Sequence, residues 1–138
     1  MLTPAVATEQ DAVQAVLDTW IAGVEQGDLD LIARIVAPDE DTVWIGAGAG
    51  ERLEGWTALR TALEAQDAAL SSIRIEASNV RVRLLAGGAS ALATSQWMFA
   101  AQMAEQKLAF PLRCTWVLEK RGDTWLLLHF HKSVGMPG

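Results

Sequence analysis

The apolar residues of this chain change their spacing near Ser72, and this change limits the folds that the chain can adopt. Before Ser72 they recur every three or four residues, which is typical of helices with one buried face. After it, residues that favour strands dominate, and some segments alternate between apolar and polar positions. A helical half followed by a strand-rich half predicts an α+β fold.

The first half predicts three helices. Thr8 is a suitable N-cap for the first helix, and Gly27 is suited to end it. Asp28 can cap a shorter second helix, which Pro38 prevents from continuing. Two short strands, in "DTVWIGAG" and "ERLEG", precede a third helix in "WTALRTALEAQDAAL". The positions expected to face the core in these helices are Val13, Leu17, Trp20, Ile21, Val24, Leu29, Ile32, Val36, Leu59, Leu63 and Leu70.

The second half predicts four strands in an antiparallel meander. The turn signals "GG", "AE" and "GD" separate the segments "SIRIEASNVRVRLL", "SALATSQWMFAAQM", "KLAFPLRCTWVLEK" and "TWLLLHFHKS". In the first segment we expect Val80, Val82 and Leu84 to face the core. Arg81 and Arg83 alternate with them and are expected to face solvent.

The last strand has apolar residues on both faces. Strict alternation places Trp125 and Leu127 on one face, together with His129 and His131. The opposite face then carries Leu126, Leu128, Phe130 and Lys132. Helices can cover one side of such a sheet, and we expect a second copy of the chain to cover the other. The sequence therefore predicts a homodimer.

Length and charge limit the classes of function. A chain of 138 residues is expected to form one domain with one core, spanning residues 1–138. It has no apolar run long enough to span a bilayer and no export signal at its start, so we expect a cytoplasmic protein. Its single cysteine, Cys114, agrees with a reducing compartment. A net charge of -6 argues against nucleic acid and anionic membranes as partners.

His129 and His131 could offer two imidazoles to one metal ion, since residues i and i+2 of a strand point to the same side. If the "GD" turn is a two-residue loop of type II′, Cys114 lies opposite His131 and Trp116 lies opposite His129. A three-residue loop would shift this pairing by one and separate the cysteine from the histidine. A third ligand is missing nearby, so neither a metal nor another cofactor is predicted.

Arg113 and Lys132 form a second candidate site. A two-residue loop places them opposite each other, and two cations so close repel unless an anion or an acidic side chain lies between them. This geometry suggests a carboxylate-binding patch at the end of an apolar pocket. The alternative is an ordinary pair of surface cations near a strand end.

Several segments carry a resemblance to a known family. The long first helix, the "GDLD" that opens the second, the "IGAGAGERLEGW" segment and the final "CTWVLEKRGDTWLLLHFHKS" together resemble the SnoaL-like branch of the nuclear transport factor 2 superfamily. The ending is similar to the association (hub) domain of calcium/calmodulin-dependent protein kinase II, which closes in a tryptophan, an HFH triplet, a basic residue and serine. The resemblance implies a cone-shaped, cystatin-like fold, in which a curved antiparallel sheet wraps around the long helix and leaves a pocket at its open end.

The resemblance also implies dimerisation through the back of the sheet. Its superfamily includes ketosteroid isomerases, polyketide cyclases, dehydratases and proteins without chemistry, so the fold does not assign a function. Isomerase chemistry needs a carboxylate base and an oxyanion hole that contains a tyrosine. This chain has no tyrosine, and Ile45 occupies the position that usually holds the base. Asp39, Glu40 and Asp41 precede that strand, where loop acids are most often solvated.

Three interpretations follow for function. In the first, the protein binds a small apolar or carboxylate-bearing ligand, with or without isomerising, cyclising or dehydrating it, and Trp44, Trp56 and Trp97 line the pocket as flat walls. Core packing is the alternative role for these tryptophans. In the second, it is a noncatalytic association module like the hub domain. The third, a metal-assisted enzyme, depends on the cysteine and histidine pairing. The residues assigned to a dimer interface or pocket rim are Trp116, Trp125, His129 and His131.

Overall fold

The computed structural model describes residues 8–137, which form three α-helices and one six-stranded sheet. The helices are α1 (Glu9–Gln26), α2 (Leu29–Ala33) and α3 (Gly55–Ala69). The strands are β1 (Val43–Ile45), β2 (Arg52–Glu54), β3 (Ser71–Leu85), β4 (Ser90–Met103), β5 (Gln106–Arg121) and β6 (Thr124–Ser133). The predicted α+β class and the order of its elements are confirmed.

The predicted ends of the first helix are also confirmed. The Thr8 side chain accepts a hydrogen bond from the backbone N–H of Asp11, whose carboxylate accepts one from the backbone N–H of Thr8, both at 3.0 Å. This capping box satisfies two donors that a helix start leaves free. At the other end Gly27 has a φ of 66°, a left-handed conformation that favours glycine.

Helix α2 ends earlier than its apolar spacing predicts. It stops at Ala33, and the chain beyond it pairs with β6. The N–H of Leu127 donates to the carbonyl oxygen of Ile35 at 2.8 Å, and the N–H of Ala37 donates to the carbonyl oxygen of Leu127 at 3.0 Å. Val36 is therefore buried as predicted, but in a bridge to the sheet.

The sheet is curved and open, with the strand order β2-β1-β6-β5-β4-β3. Strands β3 to β6 form the predicted antiparallel meander, and residues 122–123 make a two-residue turn between Arg121 and Thr124. Strand β1 runs parallel to β6, so the sheet is mixed, although the resemblance implied an antiparallel one. Helix α1 packs against β3 and β6 on the concave face of this sheet.

A β-bulge in the last hairpin decides which residues of β6 face the core. Leu118 pairs with Leu127, but Val117 pairs with His129, so Leu128 is an extra residue in β6. The inward positions shift by one at this point, and Phe130 is buried on the same face as Leu127. The prediction that both histidines share a face with Trp125 and Leu127 is therefore wrong, because strict alternation stops at the bulge.

The buried apolar residues form one cluster between the concave face and the helices. Trp20 of α1, Trp44 of β1 and Trp116 of β5 are at most 1% exposed. A fully buried side chain of this kind contributes about 1.5–3 kcal/mol of hydrophobic free energy. Arg81 and Arg83 are exposed as predicted, while their neighbours on β3 pack against the core. Within residues 8–137, no helix is long and apolar enough to cross a membrane.

Candidate functional site

The ammonium group of Lys132 lies among four aromatic rings near the end of β6. Its Nζ is 4.2 Å from the ring centroid of Phe130, 4.6 Å from that of Trp97, 5.1 Å from that of Trp20 and 5.4 Å from that of Trp116. All four distances are within the range of cation–π attraction. We call these four rings the aromatic box.

Four elements of the fold build the aromatic box. Trp20 comes from α1, Trp97 from β4 and Trp116 from β5, while Phe130 stands two residues before Lys132 on β6 and on the same face. The rings also contact each other, with centroid separations of 5.3 Å between Trp20 and Phe130 and 5.4 Å between Trp97 and Trp116. Tilted and edge-on aromatic pairs at such distances stabilise one another, so the box is a packed part of the core.

No carboxylate of residues 8–137 forms an ion pair with Lys132. Burial lowers the pKa of this ammonium from 10.5 to about 8, and the Cys114 thiol and the Glu51 carboxylate act in the opposite direction. The ring faces offset part of the cost of removing the cation from water. This environment therefore favours the neutral Lys132 amine more than water does.

Cys114 is the partner of Lys132 across the β5–β6 ladder. Its side chain is 3% exposed, and burial raises the pKa of the thiol, while Lys132 and a hydrogen bond with Ser95 oppose this shift. The Ser95 hydroxyl also accepts a hydrogen bond from Trp116 Nε1 at 3.0 Å. Because the thiol stays protonated at neutral pH, it supplies no negative charge to balance the ammonium.

One indole of the box, Trp20, and one beside it, Trp44, lack a hydrogen-bond acceptor within residues 8–137. The Nε1–H donors of Trp20 and Trp44 have no acceptor among the described part of the chain. Both rings contact Phe130, at centroid separations of 5.3 and 5.2 Å. A buried donor left unsatisfied costs about 1–3 kcal/mol. Two such donors and an unpaired ammonium thus surround one phenyl ring.

The interior next to the box is closely filled. A void of about 10 Å³ lies between α1 and the sheet, beside Trp97 and Trp116. This volume is about that of a single water-sized sphere. Lys132, taken as a whole residue, is only partly buried. Its ammonium group is nonetheless buried among the four rings, so a ligand can contact it only if side chains move.

The tryptophans predicted to line a pocket have different surroundings. Trp97 belongs to the aromatic box, and Trp44 is fully buried against Phe130. Trp56, at the start of α3, is partly buried against the core and is not one of the rings within reach of Lys132. Core packing, the alternative stated for these residues, thus describes Trp44 and Trp56 in this conformation.

Arg113 and Lys132 lie on opposite faces of the sheet. The bulge pairs Arg113 with Ser133, and the Arg113 Nε–H donates to the Ser133 hydroxyl at 3.1 Å. The prediction that Arg113 faces Lys132 across the ladder is therefore wrong, although the two-residue loop on which it rested is present. The same shift pairs His131 with Thr115, so the predicted pairing of Cys114 with His131 does not form.

The two histidines have separate environments on the convex face. His129 Nδ1 lies 2.5 Å from the carbonyl oxygen of Val43, so the ring donates a hydrogen bond that ties β6 to β1. His131 is exposed. No cluster of three or more histidine, cysteine and acidic side chains suited to a metal ion occurs within residues 8–137.

Trp116 and Trp125 have no surface to offer a dimer contact. They are 1% and 5% exposed on the concave side. Trp116 belongs to the aromatic box, and Trp125 Nε1 donates to the Glu9 carboxylate at 3.0 Å, which holds the start of α1. Of the predicted roles, dimer interface or pocket rim, only the pocket rim is compatible with this burial, and it stays a prediction. The bulge leaves Trp125 on the concave face and the histidines on the convex face.

A polar groove of about 440 Å³ runs along the convex face. Its lining includes Arg81, Arg113, His131 and Ser133, and no acidic side chain stands among the described residues that line it. A register shift in β3 between Ser78 and Arg81 shapes its edge. Asn79 lies at this shift with a φ of 49°, a left-handed conformation that asparagine tolerates, but the segment was interpreted as one regular strand, so the groove was not predicted.

Two of the loop acids before β1, Asp39 and Glu40, make hydrogen bonds with other elements of the fold. Asp39 accepts two hydrogen bonds from Arg121, at 2.6 and 2.7 Å, and this guanidinium lowers the pKa of the Asp39 carboxyl. Glu40 accepts a hydrogen bond from the Thr57 hydroxyl at 3.1 Å. Ile45 pairs with His131 in the parallel ladder. None of these residues brings a carboxylate to the aromatic box.

Solved structures share this fold. A nuclear transport factor 2-like protein from Salmonella enterica matches with a TM-score of 0.85 at 16% identity, over 96% of this chain and 95% of that one. A proposed dehydratase of the same superfamily from Streptomyces avermitilis matches with a TM-score of 0.82 at 16% identity, over 94% and 97%. At these identities the likeness shows the fold alone.

A proposed calcium/calmodulin-dependent protein kinase II association domain from Xanthomonas campestris is 27% identical. It matches with a TM-score of 0.79 over 99% of this chain and 94% of that one. No curated protein matches the chain in sequence. A family model described as a SnoaL-like domain matches residues 13–137. The chain therefore belongs to the SnoaL-like domain family.

Proposed function

We propose that this protein binds a small, largely apolar molecule bearing a carboxylate or carbonyl oxygen, and that Lys132 receives this oxygen at the open end of the sheet. One observation carries the proposal: the Lys132 ammonium is enclosed by four aromatic rings and has no carboxylate partner within residues 8–137. A cation removed from water without a counter-charge destabilises the fold. A ligand oxygen would supply the missing partner through a charge-assisted hydrogen bond.

The surroundings of Lys132 favour an apolar body for this ligand. Flat aromatic walls bind planar or aliphatic groups through area and through the quadrupole of the ring. The unpaired indole donors of Trp20 and Trp44 add a preference for further acceptor atoms. Isomerisation of the ketosteroid type is not part of the proposal, because Ile45 stands where a base is needed and the chain has no tyrosine.

Calorimetric titration with benzoate, 1-naphthoate and hexanoate tests this binding. We expect at least one of these carboxylates to bind, and Lys132→Met to weaken it about tenfold or more, since a hydrogen bond to a charged group contributes about 1.5–3 kcal/mol. Arg113→Met is the matched control, because that cation lies on the convex face, and it should bind as the wild type does. Absence of binding for all three acids, or equal affinity of Lys132→Met, would contradict the proposal.

The convex face favours a second role, self-association. Met98 is 45% exposed, and Val117, Leu126 and Leu128 lie partly buried on the side that the helices leave uncovered. The similarity to a proposed association domain supports a homodimer through this face. Light scattering behind a sizing column at micromolar concentration should give twice the chain mass, and Val117→Glu should give the monomer mass. A monomeric wild type would exclude this role.

A further inference from the structure

We propose that Lys132 is an amine nucleophile that forms an imine with the carbonyl carbon of a small apolar aldehyde or ketone. This inference rests on the proposed function, because it concerns a ligand at the same site, and it adds the class of compound and a covalent step. The geometry that supports it is the placement of one primary amine within a set of aromatic faces, with no ion pair from residues 8–137 to hold it protonated.

The other lysines of the chain show why Lys132 differs. The chain has three lysines. Lys120 forms an ion pair with Glu9 at 3.0 Å, and Lys107 is exposed on β5. An ion pair or full solvation favours the protonated amine, which has no lone pair for attack. Among the three, Lys132 combines an apolar enclosure with the lack of an ion pair to any carboxylate of residues 8–137.

Burial outweighs the charges near Lys132 and favours its neutral amine, which is the form that acts as a nucleophile. Burial lowers the pKa of its ammonium to about 8. The ionisable groups that act on it are the Cys114 thiol, on β5, and the Glu51 carboxylate, on the loop between β1 and β2. Helix α1 and strand β4 contribute the uncharged rings of Trp20 and Trp97 to its surroundings. A lysine desolvated in an apolar pocket is a recognised way to activate an amine towards carbonyl compounds.

The covalent step conserves atoms and charge without an added reagent. The lone pair of the neutral Nζ attacks the carbonyl carbon, and a proton passes from nitrogen to the carbonyl oxygen. The carbinolamine so formed loses one molecule of water, which leaves a carbon–nitrogen double bond to Lys132. Apolar walls around this bond slow its return to the amine, because hydrolysis needs water at the same carbon.

Reductive trapping with benzaldehyde and cyanoborohydride tests the step on the wild-type protein. Hydride from the borohydride converts an imine into a stable benzylamine, which intact mass spectrometry detects and peptide mapping assigns to one lysine. At pH 7.5 we expect Lys132 to be modified about tenfold faster than Lys107, which is the exposed control in the same molecule. Modification of Lys107 at an equal or higher rate would overturn the proposal.

The pH dependence of trapping gives a second measurement. The rate at Lys132 should rise with pH and level off with a midpoint of about 8, because only the neutral amine attacks. A midpoint near the ordinary value of 10.5 would contradict the inference. Lys132→Met should lose the fast phase while keeping the wild-type circular dichroism, and modification of this variant at the same rate would also contradict it.

Benzoate separates the failure of this step from the failure of ligand binding. If benzoate binds to the wild type and benzaldehyde is not trapped at Lys132, the imine is excluded and noncovalent binding stands. If benzaldehyde is trapped at Lys132 and preincubation with benzoate slows the trapping, both proposals hold for one site. If neither probe reaches Lys132, both fail together.

Discussion

The two faces of the β5–β6 hairpin hold cations in opposite conditions. On the concave face, Lys132 lies among four rings and opposite a buried thiol. On the convex face, one ladder position away, Arg113 is exposed in a polar groove, with the Ser133 hydroxyl as its partner. Adjacent positions in the ladder therefore do not give these two cations similar surroundings. The face of the sheet decides whether a cation is solvated or desolvated, and the extra residue Leu128 decides the face.

The largest expected effect concerns packing on the two faces. Phe130 is 4% exposed and contacts three tryptophan rings besides Lys132. We expect Phe130→Ala to lower the free energy of unfolding by about 3–5 kcal/mol, since it leaves a cavity in the aromatic box. Val117→Ala, on the convex face, should cost about 1 kcal/mol or less. Urea unfolding at one fixed protein concentration measures the free energy of unfolding of both variants. Equal losses of free energy for Phe130→Ala and Val117→Ala would show that the concave face is not the core.

The second effect concerns the charge of Lys132 and is expected to depend on pH. The pKa of Lys132 is about 8 in the folded chain, against 10.5 for the ordinary side chain. Between these values the unfolded chain keeps a proton that the folded chain has lost, so the free energy of unfolding rises with pH across this window. The gain should reach roughly 1–3 kcal/mol, since one pKa unit corresponds to about 1.4 kcal/mol and the ring faces reduce the shift.

Lys132→Met isolates this effect from the titration of other groups. The difference in unfolding free energy between wild type and variant should grow in favour of the wild type from pH 8 to 10.5. Arg113→Met, which removes a cation from the convex face, should give a difference that does not change with pH. A flat difference for Lys132→Met would mean that this ammonium is solvated, and the contrast between the two faces would then disappear.

The fold could be predicted from the sequence because its signals are local. The Thr8 capping box, the Gly27 helix end and the two-residue turn after Arg121 each depend on residues close together in the chain. The resemblance of the final hairpin supplied the family, which the match over residues 13–137 confirms. The bulge at Leu128 has no such local signal, since neither glycine nor proline marks it and the apolar run before His129 does not distinguish the two faces.

The candidate site was predicted less well because it depends on tertiary contacts. Lys132 was identified as a ligand-binding candidate, but its predicted partner Arg113 lies on the other face. Trp20 was assigned to the core and Trp116 to a dimer interface or pocket rim, since nothing local indicates that α1 and β5 bring both rings to the same ammonium. Face assignments made by strict alternation fail beyond a bulge, and every wrong pairing in this hairpin follows from that one extra residue.

The smallest expected effect separates the two histidines, which share the convex face. His129 ties β6 to β1 through the Val43 carbonyl oxygen, whereas His131 is exposed beside the polar groove. We expect His129→Gln to lower the free energy of unfolding by about 1 kcal/mol, the usual net value of one such hydrogen bond. His131→Gln should change it by less than about 0.5 kcal/mol, as is usual for an exposed side chain. Thermal unfolding of both variants measures this contrast. If His131→Gln lost more unfolding free energy than His129→Gln, the convex face would be covered in the native state, as a homodimer through that face requires.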